Sequence, residues 1–369
     1  VSAPPLTART EVAPDKIEAA LATRWRRIAE EAAERKSPPV TRAFLWNLVM
    51  SGPSDQIPAL VDQLAKELPA RAIVLSRVPA GDGKLRTYVE TNFSGHGAQT
   101  VGSDEVTIEI GGSDEVAKPA MELVESIVRS ALVPDALTAL VWVDAPPPLG
   151  HPTRALLSDI DRLILDTRRL PSGPEGEQAL GGILAIGNSH PELDLVDVAW
   201  LGISPLRGLA ASLFDPPRDP APLWKLDEVT VISGVDTVQV RGLLMLGWLG
   251  ARLGWRDPSQ ERAQRPGQRL FRATRADGGE VRLCIETVLD GARHGVRELV
   301  LVTGDKRWSL RRDNTKIDVE GPDLPLRQQP ARSHSVGERL AEALGSKGRD
   351  ANYRPALAFA AALAGAVSE

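Results

Sequence analysis

The sequence predicts an α/β protein in two parts: an N-terminal layered α/β domain over residues 1–180, and a C-terminal domain of mixed helices and antiparallel strands over 181–369. Three observations carry that expectation. From about residue 41 onward, apolar runs of strand length alternate with segments of helical periodicity. A Pro- and Gly-rich stretch, LPSGPEGEQALGG, then marks the boundary. Beyond residue 270, short alternating runs are separated by Asp-Gly and Gly-Asp turns, the mark of a small antiparallel sheet. With 369 residues the chain exceeds the size at which single cores stop growing, so two domains are expected.

Element by element, residues 1–15 carry Pro and Thr and predict a mobile lead. DKIEAALATRWRRIAEEAAE predicts a helix with Ile17, Ala20, Leu21, Trp25 and Ile28 along one stripe, ended by Pro38-Pro39. TRAFLWNLVM reads as a strand. SDQIPALVDQLAKELP reads as a helix capped by Ser54 or Asp55, with Pro58 in its first turn. ARAIVLSRV is a second strand, and AGDGKLR predicts a hairpin into TYVETNF. DEVTIEI alternates as a half-buried strand. The helix over about 115–131 places Val116, Leu123, Val124, Ile127 and Val128 inward. ALTALVWVD is nearly continuous in apolar residues, as in a strand covered on both faces. TRALLSDIDRLILD predicts a further helix through Leu156, Leu157, Ile160, Leu163 and Ile164. In the second part, 196–214 and 237–254 read as helices, DEVTVISG as a short strand, and SVGERLAEALGSKG and YRPALAFAAALAG as a helical tail.

Composition narrows the function classes. A net charge of -5 argues against a general nucleic-acid or anionic-membrane binder. Residues 251–320 nevertheless hold 15 Lys and Arg against 11 Asp and Glu, leaving room for a local positive face. Cys284 is the single cysteine, which excludes an intrachain disulfide and a Cys-rich metal site, and it lies in the alternating run VRLCIETV. No apolar stretch reaches the length of a bilayer span and no signal-like segment opens the sequence, so a cytoplasmic protein is expected. Eight Trp against two Tyr and five Phe bias the aromatic content toward residues that anchor interfaces.

Catalytic and cofactor motifs are missing from the sequence. The turn after the first long strand is MSGPSD, without the spaced glycines that let backbone amides approach a phosphate. The first domain is thus expected to be Rossmann-like in layering without a nucleotide motif, and no cofactor is expected. No GxSxG or HExxH occurs. His190, Glu192 and Asp194 in SHPELD could share one face if extended, but a solvated loop is the expectation there. Asp159, Asp161 and Asp166 alternate with Arg162, Arg168 and Arg169, a pattern of helix-surface ion pairing rather than acid/base catalysis.

Two blocks in the second part carry a resemblance. DVAWLGISPLRGLAASLFD and LLMLGWLGARLGW are similar to conserved-looking blocks of the glucose-6-phosphate dehydrogenase assembly protein family, the OpcA-like proteins, and Trp200, Arg207, Phe214, Asp215, Trp248, Arg252 and Trp255 occupy matching positions. LWNLVM, ALVDQLAKELP, ARAIVLSR and LVESIVRSALVPDALTALVWVDAPP resemble that family's N-terminal segments. Leu206 stands where the family usually has Trp and Gly202 where it often has Arg, so contacts of those side chains differ here. Cys284 is alone, without counterparts of the redox-responsive cysteines of cyanobacterial members.

The resemblance implies a non-catalytic factor that binds glucose-6-phosphate dehydrogenase and favours its active oligomer. Trp200, Arg207, Trp248, Arg252 and Trp255 are the candidate partner-binding residues, since Trp and Arg dominate interface hot spots. Core packing is the competing role for the three Trp, and ion pairs of Arg207 or Arg252 with Asp197 or Asp215 the competing role for the arginines. The alternative function is a sugar-phosphate or nucleotide sensor binding anions at Arg307, Arg311 and Arg312. Nucleic-acid binding through RWRR at 24–27 and the basic run at 306–316 is disfavoured by the acidic remainder.

Overall fold

The computed structural model describes residues 9–366 apart from 43, 53–56, 58–59, 62, 65–67, 79–82, 95–99, 113, 144–151, 172, 216–218, 235–238, 289–294, 314, 323, 325–326, 332–334 and 346–347. The chain divides into two compact units. Unit 1 is 1–165 with 192–194 and 335–347; unit 2 is 166–191, 195–334 and 348–369.

Unit 1 is built on a sheet of β1 (Thr10–Val12), β2 (Thr41–Arg42), β3 (Trp46–Gly52), β4 (Ala70–Val78), β5 (Leu85–Ser94), β6 (Val101–Gly111), β7 (Leu137–Trp142) and β8 (Arg162–Leu165). The strand order is β1-β5-β6-β4-β3-β7-β8, and the sheet continues into the first residue of β9 (Asp194–Asp197). β6, β4, β3, β7 and β8 are parallel, while β5 and β1 run antiparallel at one side. The parallel centre is buried on both faces, which explains its continuous apolar runs: Leu48, Val49 and Met50 in β3, and Leu140, Val141 and Trp142 in β7, are all buried.

Helix α1 (Ile17–Glu34) buries Ile17, Leu21 and Ile28. α2 (Asp114–Ala131) buries Val124, Ile127 and Val128.

Several expectations for this unit are corrected. Thr10–Val12 is not a loose lead but pairs with Val89, Tyr88 and Thr87, and residues 1–8 lie outside the described residues. The helix expected over 54–69 lies largely outside them too. No β4–β5 hairpin forms. β6 inserts between the two strands, pairing parallel with β4 and antiparallel with β5. Leu123 faces solvent, lying at the edge of the apolar stripe of α2. TRALLSDIDRLILD is helical only at its start, in the short helix Pro152–Ala155, and does not continue as one helix. Leu156–Ser158 is one 3-10 turn, and Arg162–Leu165 is strand β8, buried throughout, so its apolar run carries no period to read. The three Asp therefore do not share a helix.

Unit 2 holds an eight-stranded sheet ordered β11-β12-β13-β10-β14-β15-β16-β17. Its strands are β10 (Glu228–Ser233), β11 (Arg256–Glu261), β12 (Gln268–Thr274), β13 (Glu280–Thr287), β14 (Val296–Thr303), β15 (Lys306–Arg312), β16 (Lys316–Glu320) and β17 (Arg327–Pro330). The expected antiparallel meander is present, with one correction: β10 enters the middle and runs parallel to β13.

Among the described residues, the longer helices of this unit number four. They are α3 (Pro174–Ser189), α4 (Val198–Ser212), α5 (Val240–Leu253) and α7 (Tyr353–Ala364), while α6 (Val336–Gly345) belongs to unit 1. The Pro/Gly-rich stretch expected as a boundary opens α3 instead, with Pro174 in the first turn, where its missing N–H costs nothing.

α5 and α7 cross at close range, and glycine makes that possible. A Cβ on Gly247 would meet the Ala356 carbonyl oxygen at 2.2 Å, and one on Gly250 the Phe359 ring at 2.6 Å. Gly254 ends α5 in the left-handed conformation at φ 67°. The glycine spacing of LLMLGWLGARLGW is thereby explained by packing.

Candidate functional site

Within unit 2 the first block, DVAWLGISPLRG, forms a strand end and a helix start. Asp197 caps α4, its Oδ1 accepting from the Ala199 amide at 2.9 Å and the Thr167 amide at 3.2 Å. Its Oδ2 accepts from the Thr167 hydroxyl at 2.7 Å and the Tyr353 hydroxyl at 3.1 Å. Burial pushes the carboxyl up to about 6 from 3.8, and these hydrogen bonds pull against that rise. The same burial, with the charge of Asp197, raises Tyr353 well above its ordinary value, so the phenol stays a neutral donor. A carboxylate whose two oxygens each accept two hydrogen bonds is placed to hold α4 and α7 together, not to take a proton from a substrate.

One turn along α4, Trp200 is buried at 1% exposure and lies 5.5 Å from the Tyr353 ring. Its Nε1 donates to Asp350 Oδ2 at 2.6 Å. The Arg207 guanidinium stacks 3.4 Å above the Trp200 ring and sits 3.9 Å from the same oxygen. Burial lowers Arg207 to about 10, and Asp350 opposes the shift. Arg207 thus pairs with Asp350, not with Asp197 or Asp215 as expected. Trp255 is also interior and packs 6.5 Å from Phe359. Leu206 is fully buried in α4.

Trp248 is half-buried and Arg252, one turn later on α5, is exposed. These two of the five candidate residues reach the surface. Trp224, at the end of the short helix Ala221–Trp224, is 54% exposed and was missed in the sequence. Its only signal was an aromatic in a Pro-rich segment, APLW. The β12–β13 turn brings Trp224 and the C-terminal end of α5 to one end of the unit. A Cβ on Gly254 would be 3.8 Å from Ala276, and Arg275 of the same turn donates to the Leu226 carbonyl at 3.0 Å.

The Arg-rich strand β15 does not gather its cations. Successive side chains alternate across a strand, so Arg307 and Arg311 lie on one face and Arg312 on the other. Arg311 pairs with Glu298 at 3.3 Å, and Arg312 is half-buried, donating to the Gly202 carbonyl at 3.4 Å. SHPELD also scatters: His190 ends α3, its carbonyl accepting from Arg354 at 3.1 Å, while Asp194 pairs with Arg162 at 2.7 Å in unit 1. Among the described residues no group of three or more His, Cys, Asp or Glu is placed to hold a metal. No helix among them is long and apolar enough to cross a membrane.

Known proteins match both parts of the chain. Residues 61–180 match the glucose-6-phosphate dehydrogenase subunit N-terminal domain of the OpcA assembly family, and residues 193–357 match its C-terminal domain. The chain belongs to the OpcA family. Among curated relatives it is 26% identical over 201 residues to an OxPP cycle protein OpcA of Synechocystis sp., covering 53% of this chain and 39% of that protein. To the OpcA of Nostoc punctiforme it is 22% identical over 215 residues, covering 58% and 44% respectively. The chain thus spans less than half the length of these relatives. Among solved structures, the UDP-N-acetylglucosamine 3-dehydrogenase GnnA of Acidithiobacillus ferrooxidans aligns over 88% of this chain and 98% of its own, at 10% identity and a TM-score of 0.49, a likeness too low to bear on function.

Proposed function

We propose that this chain is a non-catalytic, cytoplasmic partner of glucose-6-phosphate dehydrogenase that binds the dehydrogenase and favours its active oligomer. The observation that carries the reading is the match of both parts of the chain to the two domains described for a glucose-6-phosphate dehydrogenase subunit. The saturated hydrogen bonding of Asp197 supports a structural role for the residues that carry the family likeness. In this reading Trp224, Trp248 and Arg252 touch the dehydrogenase, and Trp200, Arg207 and Trp255 hold α4, α5 and α7 beneath them.

A partner shifts an oligomer equilibrium only by its differential affinity for the two states, and a tenfold shift needs about 1.4 kcal/mol. One or two anchors of the Trp or Arg kind supply that much. An anion sensor at Arg307, Arg311 and Arg312 draws less support, because β15 splits these residues between two faces and Glu298 occupies Arg311.

The test is size-exclusion chromatography with light scattering of the chain mixed with its cognate dehydrogenase, read beside dehydrogenase activity. A co-eluting species of defined mass, lost with Trp224→Ala or Arg252→Ala while both variants keep the parent unfolding midpoint, is the expected result. Separate elution at tens of micromolar, with activity unchanged by the mixture, overturns the proposal.

A further inference from the structure

The basic RWRR segment is left unused by the dehydrogenase reading, and the structure gives it a setting. One stripe of α1 carries Ala19, Ala20, Thr23, Arg24 and Arg27, with Lys16 just before the helix. This stripe flanks the buried Ile17, Leu21 and Ile28, with Arg24 and Ala20 next to them and half-buried. With Thr10 of β1 and Val89 of β5 these residues line a cleft of about 580 Å³ in unit 1. The volume lies within the range of small-molecule sites.

Among the described residues, the lining holds three cations and two hydroxyls and no carboxylate. The carboxylates nearby do not cancel that charge evenly. Asp15 meets Lys16 at 3.5 Å, but both side chains are open to water, where such a pair is weak. Asp104 is engaged by Arg42 at 2.7 Å and Arg71 at 3.0 Å, and by the Trp25 indole at 2.7 Å. Glu90 acts on Arg24 from β5. Arg24 is held in place by bonds to the Thr10 hydroxyl at 2.9 Å and the Val89 carbonyl at 3.4 Å, so its guanidinium is fixed at the wall of the cleft. Burial lowers the Arg24 pKa most, and the neighbouring positive charge of Arg27 lowers it further.

We infer that this cleft binds a small phosphorylated molecule, whose phosphoryl group is held between Arg24 and Arg27 and whose body lies over Ala19 and Ala20 toward Lys16. A dianion between two guanidiniums removes their mutual repulsion and accepts charge-assisted hydrogen bonds in the fork geometry that arginine offers. The inference stands independently of the dehydrogenase, since the site lies wholly in unit 1.

Calorimetric titration of the full chain with inorganic phosphate, a hexose phosphate and an adenine nucleotide at constant ionic strength tests it. Saturable binding of at least one probe is expected, weakened about tenfold or more by Arg27→Glu and by Lys16→Glu. Both residues are exposed, so both variants should keep the parent unfolding midpoint. The ranking of hexose phosphate against nucleotide identifies the body of the ligand. The inference is overturned if no probe binds below about 5 mM, or if the variants bind as the parent does. It is also overturned if only a long oligonucleotide binds, with steep salt dependence, which would make the stripe a nucleic-acid surface.

Discussion

Replacing Asp197 with Asn should change how unit 2 responds to pH. In the folded chain the carboxyl is wholly buried and raised to about 6, against 3.8 in the ordinary state, with burial the largest cause. Between those two values the fold keeps a proton that the unfolded chain has released. Stability therefore falls as pH rises through this window, the reverse of a salt-bridged carboxylate. A gap of about two pH units at about 1.4 kcal/mol each amounts to about 3 kcal/mol. Asp197→Asn keeps an acceptor for the Ala199 and Thr167 amides but carries no charge at any pH. Its stability relative to the parent should thus improve by about 2 kcal/mol from pH 4 to pH 7. Urea unfolding of both proteins across that range measures the difference, and the carboxyl carbon-13 shift of Asp197 reports the same titration directly. A difference that stays flat, or moves in the parent's favour, would refute the reasoning. It would mean that four hydrogen bonds and the start of α4 stabilise the charge more than burial penalises it.

Three further outcomes are expected. Gly247→Ala should cost about 1–3 kcal/mol in urea unfolding, and more than Gly250→Ala, because the new methyl meets the rigid Ala356 carbonyl rather than a ring that can turn; equal costs would contradict the packing described. Asp104→Ala removes one of the two carboxylates paired with the buried Arg71, which keeps Glu18 and the Ala131 carbonyl, and leaves the Trp25 indole without its acceptor; it should cost about 1–3 kcal/mol, seen as an early transition of unit 1. Burial, helped by Glu286, pushes the Cys284 thiol up to about 11, so native-state alkylation at pH 8 should run about a hundredfold or more slower than in the unfolded chain. Rapid labelling followed by mass spectrometry would disprove that placement.

Much of the architecture was legible because it is written in local periods. ARAIVLSRV, DEVTVISG and RELVLVTG have strand spacing, and α1, α4, α5 and α7 have apolar stripes that hold whichever neighbour covers them. The family blocks were legible for the same reason, since their Trp and Gly residues follow the helical repeat.

Other features had no local signal. IDRLILD reads as a helix until β7 supplies the parallel partner that makes β8 a strand. A hairpin turn follows β4, yet β6 comes between β4 and β5. The grouping of Arg307, Arg311 and Arg312 depended on which faces of β15 they would share.

The sequence by itself determined which segments are helices or strands wherever one face is apolar and the other polar, and it determined the family. Backbone geometry and the nearest few residues suffice for those. Only the tertiary structure decided that Trp200 is interior while Trp224 is not, and that Arg207 and Trp200 meet Asp350, a residue 150 positions from that Trp. It also decided that α1 and β5 enclose a cationic cleft. Burial and charge neutralisation are set by whichever distant segment packs against a side chain, and that information is not held in any window of neighbouring residues.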